Sequence, residues 1–126
     1  MRERPGCTKM TPSSANWRLA LYVTMHNYTI GSGTQLDLAR EAQAFVDEAA
    51  SIAGFRAYYM VDAGDSLIAS VAVFDTREGI EECDRRATKF AEHRLAGFQV
   101  SDVEVTEGQV LASQTSATAE RAAATT

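Results

Sequence analysis

The most constraining feature of this chain is a pair of strand-like runs, Phe55–Asp62 (FRAYYMVD) and Leu67–Phe74 (LIASVAVF). They are joined by the turn-prone Ala63-Gly64-Asp65-Ser66, and an amphipathic helical pattern flanks them on each side. A further strand-like run precedes the first helical pattern and another follows the second, so the order is β-α-β-β-α-β. That order predicts an α+β, ferredoxin-like fold: a four-stranded antiparallel sheet with two helices on one face. The plan hosts many unrelated activities, so it limits the architecture far more than the chemistry.

In the first run, Leu19 to Tyr28, Leu19, Leu21, Val23 and Met25 alternate with Tyr22, Thr24, His26 and Tyr28, the period-two mark of a strand with a polar-aromatic second face. Gly31-Ser32-Gly33-Thr34 breaks it, and Thr34 caps a helix expected to run to about Ala53. The buried stripe of that helix is Leu38, Ala42, Phe45, Val46, Ala49 and Ile52, with Gly54 as its C-terminal cap. The second helix is expected to start at Asp75, three residues before Glu78 in a variant capping box. It presents Ile80, Cys83, Ala87, Phe90 and Leu95 on one side and closes at Gly97. The last strand, about Gln99 to Ala112, alternates less cleanly because Asp102, Glu104 and Glu107 interleave with valines, as suits an edge strand or an exchanged arm. Residues 1–16 and 113–126 lack periodicity and are expected to be flexible tails around one domain at 17–112.

Composition narrows the partners. A formal net charge of −5 disfavours a sequence-independent nucleic-acid binder and an anionic membrane surface. No stretch approaches the roughly 20 apolar residues that span a bilayer, and no signal segment follows the N-terminus, so a cytoplasmic location is the expectation. Cys7 and Cys83 have no rationale for pairing; Cys83 reads as a small buried hydrophobe. Two separated histidines and two separated cysteines give no zinc-like spacing, and neither a metal nor a cofactor is expected. Gly31-Ser32-Gly33 lacks the Lys of a phosphate loop and the full dinucleotide fingerprint, and no serine elbow is present. Asp47, Glu48, Glu78, Glu81 and Glu82 read as solvated helix surface.

Either register of the central hairpin leaves aromatic or aliphatic side chains on both sheet faces. Tyr58 and Met60 oppose Tyr59 and Val61, and Val71 and Val73 oppose Ile68, Ala72 and Phe74. Two helices cover one face only, so a homodimer through the open sheet face is expected.

The stretch from Gly54-Phe55 through the Asp62-Ala63-Gly64-Asp65 hairpin to Val73-Phe74-Asp75, with Glu81-Glu82 and Arg85-Arg86 beyond it, resembles the dimeric α/β-barrel superfamily. Within it the antibiotic biosynthesis monooxygenase-like family is the nearest likeness, over about Leu19 to Ala112. The resemblance implies cofactor-light oxygenation of a small, electron-rich aromatic molecule held between sheet and helices. It suggests Tyr22, Asn27, Tyr58 and Tyr59 as groups that bind a phenol or quinone and steady its anion, with Trp17 just outside the ordered core. A haem-degrading branch resembles this chain at Asn27 and His93, but Cys83 stands where that branch carries its Trp, so the ring that would distort haem is absent.

Each candidate also has a plainer role. His26 is either a base near neutral pH or a packing residue. Asn27 either binds substrate or serves the adjoining turn. His93 either faces a pocket or belongs to a solvated helix face. Tyr58 and Tyr59 point to opposite faces, so one can line a cavity and the other belongs to the dimer interface. Two functional readings follow: a small monooxygenase-like enzyme with catalytic Asn27 and His26 and a site including Tyr22, Tyr58, Tyr59 and His93, or a non-catalytic homodimeric binding or scaffold protein of the same fold.

Overall fold

Of the 126 residues, the computed structural model describes residues 20–116. The expected N-terminal tail, Cys7, Trp17 and the start of the first run at Leu19 lie outside the described residues, as does most of the C-terminal tail. The elements are β1 (Tyr22–Ile30), α1 (Gln35–Ala49), β2 (Phe55–Asp62), β3 (Leu67–Phe74), α2 (Arg77–Arg94), a single 3-10 turn (Ala96–Phe98) and β4 (Val100–Gln109). The strands form an antiparallel sheet in the order β2-β3-β1-β4, the ferredoxin-like arrangement.

The β2–β3 turn meets an uncommon backbone demand. Leu67 N donates to Gly64 O at 2.8 Å, and both central residues have positive φ, 51° at Asp65 and 64° at Ser66. Positive φ at both centres is the type I′ requirement, whose twist matches the flanking strands. Asp tolerates that region better than most residues, which accounts for a polar pair here.

Both helices start on a threonine. Thr34 accepts from Asp37 N, as its position predicts. The second cap is Thr76, not Asp75: its hydroxyl accepts from Gly79 N, and α2 begins at Arg77. Asp75 is used differently, its carboxylate lying so close to Gly54 that a Cβ there would come within 2.5 Å of Oδ1. Gly54 holds φ +88°, so contact and backbone both require glycine. The ends are shorter than the pattern suggested. α1 stops at Ala49, before Gly54, and α2 stops at Arg94, where the 3-10 turn takes over and Gln99 adopts a left-handed φ of 54°.

Both helices cover the sheet face that carries Thr24, Tyr28 and Ile30 on β1 and Ile68, Ser70, Ala72 and Phe74 on β3, all buried. The core forms two neighbouring clusters. One joins Phe45, Ala49 and Ile52 to Ala72, Phe74, Ile80 and Cys83; the other joins Tyr28, Ile30 and Leu38 to Ile68 and Leu95. Cys83 is buried as a free thiol, and its burial pushes the thiol up to about 12, where it is inert. The opposite face is open, with Tyr59 62% exposed, Val61 47%, and Met25 and Leu67 36% each. Among the described residues, no helix is long and apolar enough to cross a membrane.

Candidate functional site

Strand alternation selects which β1 residues meet the helices. His26 pairs with Ser70 on β3 and Val105 on β4, while Thr24 pairs with Ala72 and Glu107. Both side chains therefore point toward α2, and there they meet Asp84. Thr24 Oγ1 donates to the Asp84 carboxylate at 2.8 and 3.0 Å, and His26 Nε2 lies 2.7 Å from Asp84 Oδ1. The His26 and Asp84 side chains are only 17% and 18% exposed.

Partial burial pushes the Asp84 carboxyl upward, but hydrogen bonds with His26, Glu107 and Thr24 outweigh it and hold the group below the usual carboxylate range. Glu107 moves the other way. Its hydrogen bond to Asp84, then partial desolvation, then the Asp84 charge push it up to about 7. Glu107 therefore holds a proton to higher pH than Asp84 does, and Asp84 is the carboxyl that stays an anion. An anionic Asp84 accepts only, so the proton of a neutral His26 is assigned to Nε2. The basic lone pair then sits on Nδ1, which has no hydrogen-bond partner among the described residues.

His26 lines a cavity of about 230 Å³ between the sheet and the helices. Phe45 and Ala42 of α1, Phe90 and Ala87 of α2, Met60 of β2 and Leu95 supply apolar walls. The Phe45 ring meets Phe90 at 5.5 Å and Tyr58 edge-on at 5.9 Å, which fixes three of the aromatic surfaces. Tyr58, Tyr28 and Ser70 bring polar atoms into this lining. Burial pushes the Tyr58 hydroxyl up to about 12 against the opposing effect of its hydrogen bond with Ser70, so it is a neutral donor at physiological pH.

The mouth is built by an irregularity in β4. Asn27 pairs with Glu104 but Thr29 pairs with Ser101, so β4 carries one extra residue there, and Asp102 has a φ of 55°. This bulge turns Val100, Val103 and Val105 all toward the cavity although they cannot share a face in a regular strand. Val103 and Val105 remain more than half exposed at the rim.

The structure brings His26 and Tyr58 together at the cavity and disperses the other sequence candidates. Tyr22 shares their sheet face but sits at the far end, against the first core cluster, with the Arg77 guanidinium 5.2 Å above its ring. Asn27 and Tyr59 occupy the open face, because each directly follows a cavity-lining residue in an extended strand. His93 is exposed on α2 and bonds the Lys89 carbonyl through Nδ1 at 2.8 Å, away from the cavity. Sequence reasoning missed Asp84 and Glu107. A signal for Asp84 was available: it lies one turn after Ile80 and beside Cys83, on the margin of an apolar stripe where a carboxylate requires a partner. Among the described residues, no group of three or more His, Cys, Asp or Glu is placed to hold a metal ion.

No protein-family model matches the sequence, and no curated protein matches it. Solved structures do. A protein of unknown function from Nitrosomonas europaea aligns with a TM-score of 0.66 at 15% identity, over 79% of this chain and 97% of that one. A second protein from Nitrosomonas europaea, provisionally named an antibiotic biosynthesis monooxygenase, aligns at 0.61 and 9% identity, over 72% and 90%. SnoaB, a cofactor-independent oxygenase from Streptomyces nogalater, aligns at 0.54 and 15% identity, over 75% and 95%. The α+β, ferredoxin-like fold of this chain is therefore the fold of the antibiotic biosynthesis monooxygenase-like proteins.

Proposed function

We propose that this protein is a cofactor-light monooxygenase that binds a small hydroxylated aromatic metabolite in the cavity between sheet and helices. The observation that carries this reading is His26: it lines an apolar, aromatic-walled cavity while an anionic Asp84 holds its Nε2. In such a pair the carboxylate orients the imidazole and stabilises the cation formed when the ring takes a proton. The aromatic hydroxyl gives its proton to Nδ1, and the resulting electron-rich anion itself supplies the electrons to molecular oxygen: one oxygen atom enters the ring, which is oxidised to a quinone, and the other leaves as water. The apolar walls restrict water around that anion, and the neutral Tyr58 hydroxyl is a donor for it. SnoaB, of the same fold, is a cofactor-independent oxygenase, which supports the oxygen chemistry as a proposal for this chain.

A thermal-shift series with simple phenols tests the binding step. A ligand at a hundred times its dissociation constant adds about 2.7 kcal/mol, or roughly 10–20 °C in Tm for a domain of this size. Oxygen consumption with the phenols that shift Tm then tests the chemistry. A flat series would favour the non-catalytic homodimeric scaffold.

The open face supports a homodimer within the same proposal. Tyr59, Val61, Met25 and Leu67 form an exposed apolar surface there, with Asn27 beside them, and one similar structure is a dimeric ferredoxin-like protein from an uncultured marine organism. Sedimentation is expected to give a dimer for the wild type and a folded monomer for the Tyr59→Lys, Val61→Lys double variant, because both side chains are already exposed in the protomer. A monomeric wild type would remove the interface.

A further inference from the structure

The polar contacts of His26 do not end at Asp84. On the edge strand β4, Glu107 stands directly opposite Thr24 in the register with β1, so the two side chains share the helix-facing side of the sheet with Cβ atoms roughly 4.5–5.5 Å apart. Thr24 Oγ1 donates to both Asp84 oxygens, and the Glu107 carboxyl is hydrogen-bonded to the same group. Asp84 thus gathers Thr24, His26 and Glu107 around one carboxylate. Thr24 is buried and Glu107 is exposed, so a line of polar groups runs from solvent at the rim, through Asp84, to His26 and the cavity. Two carboxyls bond to each other only while one of them holds a proton. With Thr24 and His26 both donating to Asp84, that proton belongs to Glu107, the carboxyl that is pushed up to about 7.

We infer that Glu107 is a positioning residue for the base: as an acid it occupies Asp84 from the solvent side, and on losing its proton it withdraws and leaves the whole Asp84 charge to His26. This rests on the reading of His26 as the base of the cavity. The groups that bear on Glu107 are Asp84 and Glu81 of α2 and His26 of β1. Cations of α2 are engaged elsewhere, Arg77 over the Tyr22 ring and Arg85 and Arg86 on Glu82, which leaves His26 as the cation that an ionised Glu107 favours. Ionisation strengthens the base in two ways of the same sign. Asp84 loses a competing donor, and a second negative charge faces the imidazolium. A positive His26 in turn favours the ionised Glu107, so the two titrations are linked. The base is therefore stronger above neutral pH than below it.

Imidazole nitrogen NMR of the ligand-free protein, taken from about pH 5 to 9 to span the histidine and the raised carboxyl, tests this without any turnover. The chain has two histidines, so His93→Gln assigns the His26 signal. In the wild type the His26 ring nitrogens are expected to shift in two steps, one of them coinciding with the titration of the Glu107 carboxyl carbon. In Glu107→Gln, whose amide still donates to Asp84 but never ionises, that step is expected to vanish. The affinity of His26 for its proton should then fall roughly two- to fivefold, the size of one exposed charge pair. Glu107→Ala, which removes the donor as well, is expected to lose the same step. Both changes fall on an exposed side chain, so the fold should survive them. A merely structural Glu107 would alter Tm and leave the His26 titration as it was. His26 curves that superpose in the wild type and both variants, or a wild-type Glu107 that titrates in the ordinary carboxylate range, would overturn the assignment. The linkage is read in the resting protein, so a flat series of phenols would strike the monooxygenase reading without altering this result.

Discussion

Replacing His26 with Gln is expected to lower turnover of a phenolic substrate by roughly 10²–10⁴-fold, the contribution of a well-placed general base. Glutamine keeps much of the volume and a polar end for Asp84, but it cannot take a proton near neutral pH. Asp84→Asn attacks the same unit from the other side. An amide can donate to Nε2, which drives the imidazole proton to Nδ1 and turns the base away from its substrate. The loss of turnover is then expected without loss of the cavity. This variant also has a fingerprint independent of activity. Glu107 is pushed up to about 7 chiefly by Asp84, so in Asp84→Asn it should titrate back toward the ordinary carboxylate range, as followed by NMR against pH. Full turnover in either variant would remove His26 and Asp84 from the chemistry.

The largest expected loss of stability is at Phe74. It is fully buried at the end of β3, stands edge-on to Phe55 at 5.6 Å and packs in the cluster with Ile80 and Cys83. The first turn of α2 lies directly against it: a Cβ on Gly79 would come within 2.6 Å of the Phe74 ring. Glycine inside a helix is normally unfavourable, and its presence here measures how closely helix and ring approach. Phe74→Ala is expected to cost about 3–5 kcal/mol, a large share of the roughly 5–15 kcal/mol that a small domain possesses. In a thermal melt this is a drop of at least about 12 °C. Leu111→Ala, at a side chain that is almost fully exposed beyond β4, is the control and should move Tm little. A shift of only a few degrees for Phe74→Ala would mean that the contact between α2 and β3 is looser than described.

Much of the fold was legible because its signals are local and periodic. The period-two run of β1, the Ala63–Ser66 turn and the stripe from Leu38 to Ala49 are set by neighbours within a few residues. The exact ends were less so. Asp75 and Thr76 are both good caps, and only the approach of Gly54 to Asp75 settles the choice in favour of Thr76. The site was half legible. His26 and Tyr58 stand out as polar groups on otherwise apolar runs, but which sheet face the helices cover decides between Tyr58 and Tyr59, or between His26 and Asn27. Asp84 and Glu107 come from elements 58 and more residues away from His26, and their meeting depends on helix rotation and on the β4 bulge. Neither leaves a repeat or spacing in the sequence.

The bulge at Asp102 has one more consequence. Along β1, cavity-facing and open-face residues alternate, so a single inserted amino acid there would send His26 and Tyr28 to the outside and bring Asn27 and Met25 in, rebuilding both faces of the sheet at once. β4 is bonded on one side only, and an added residue there bows the edge without disturbing a second neighbour. An added residue is therefore accommodated more readily at this rim than in the centre of the sheet, so the Val100–Val105 segment can reshape the mouth of the cavity without moving the His26–Asp84 pair.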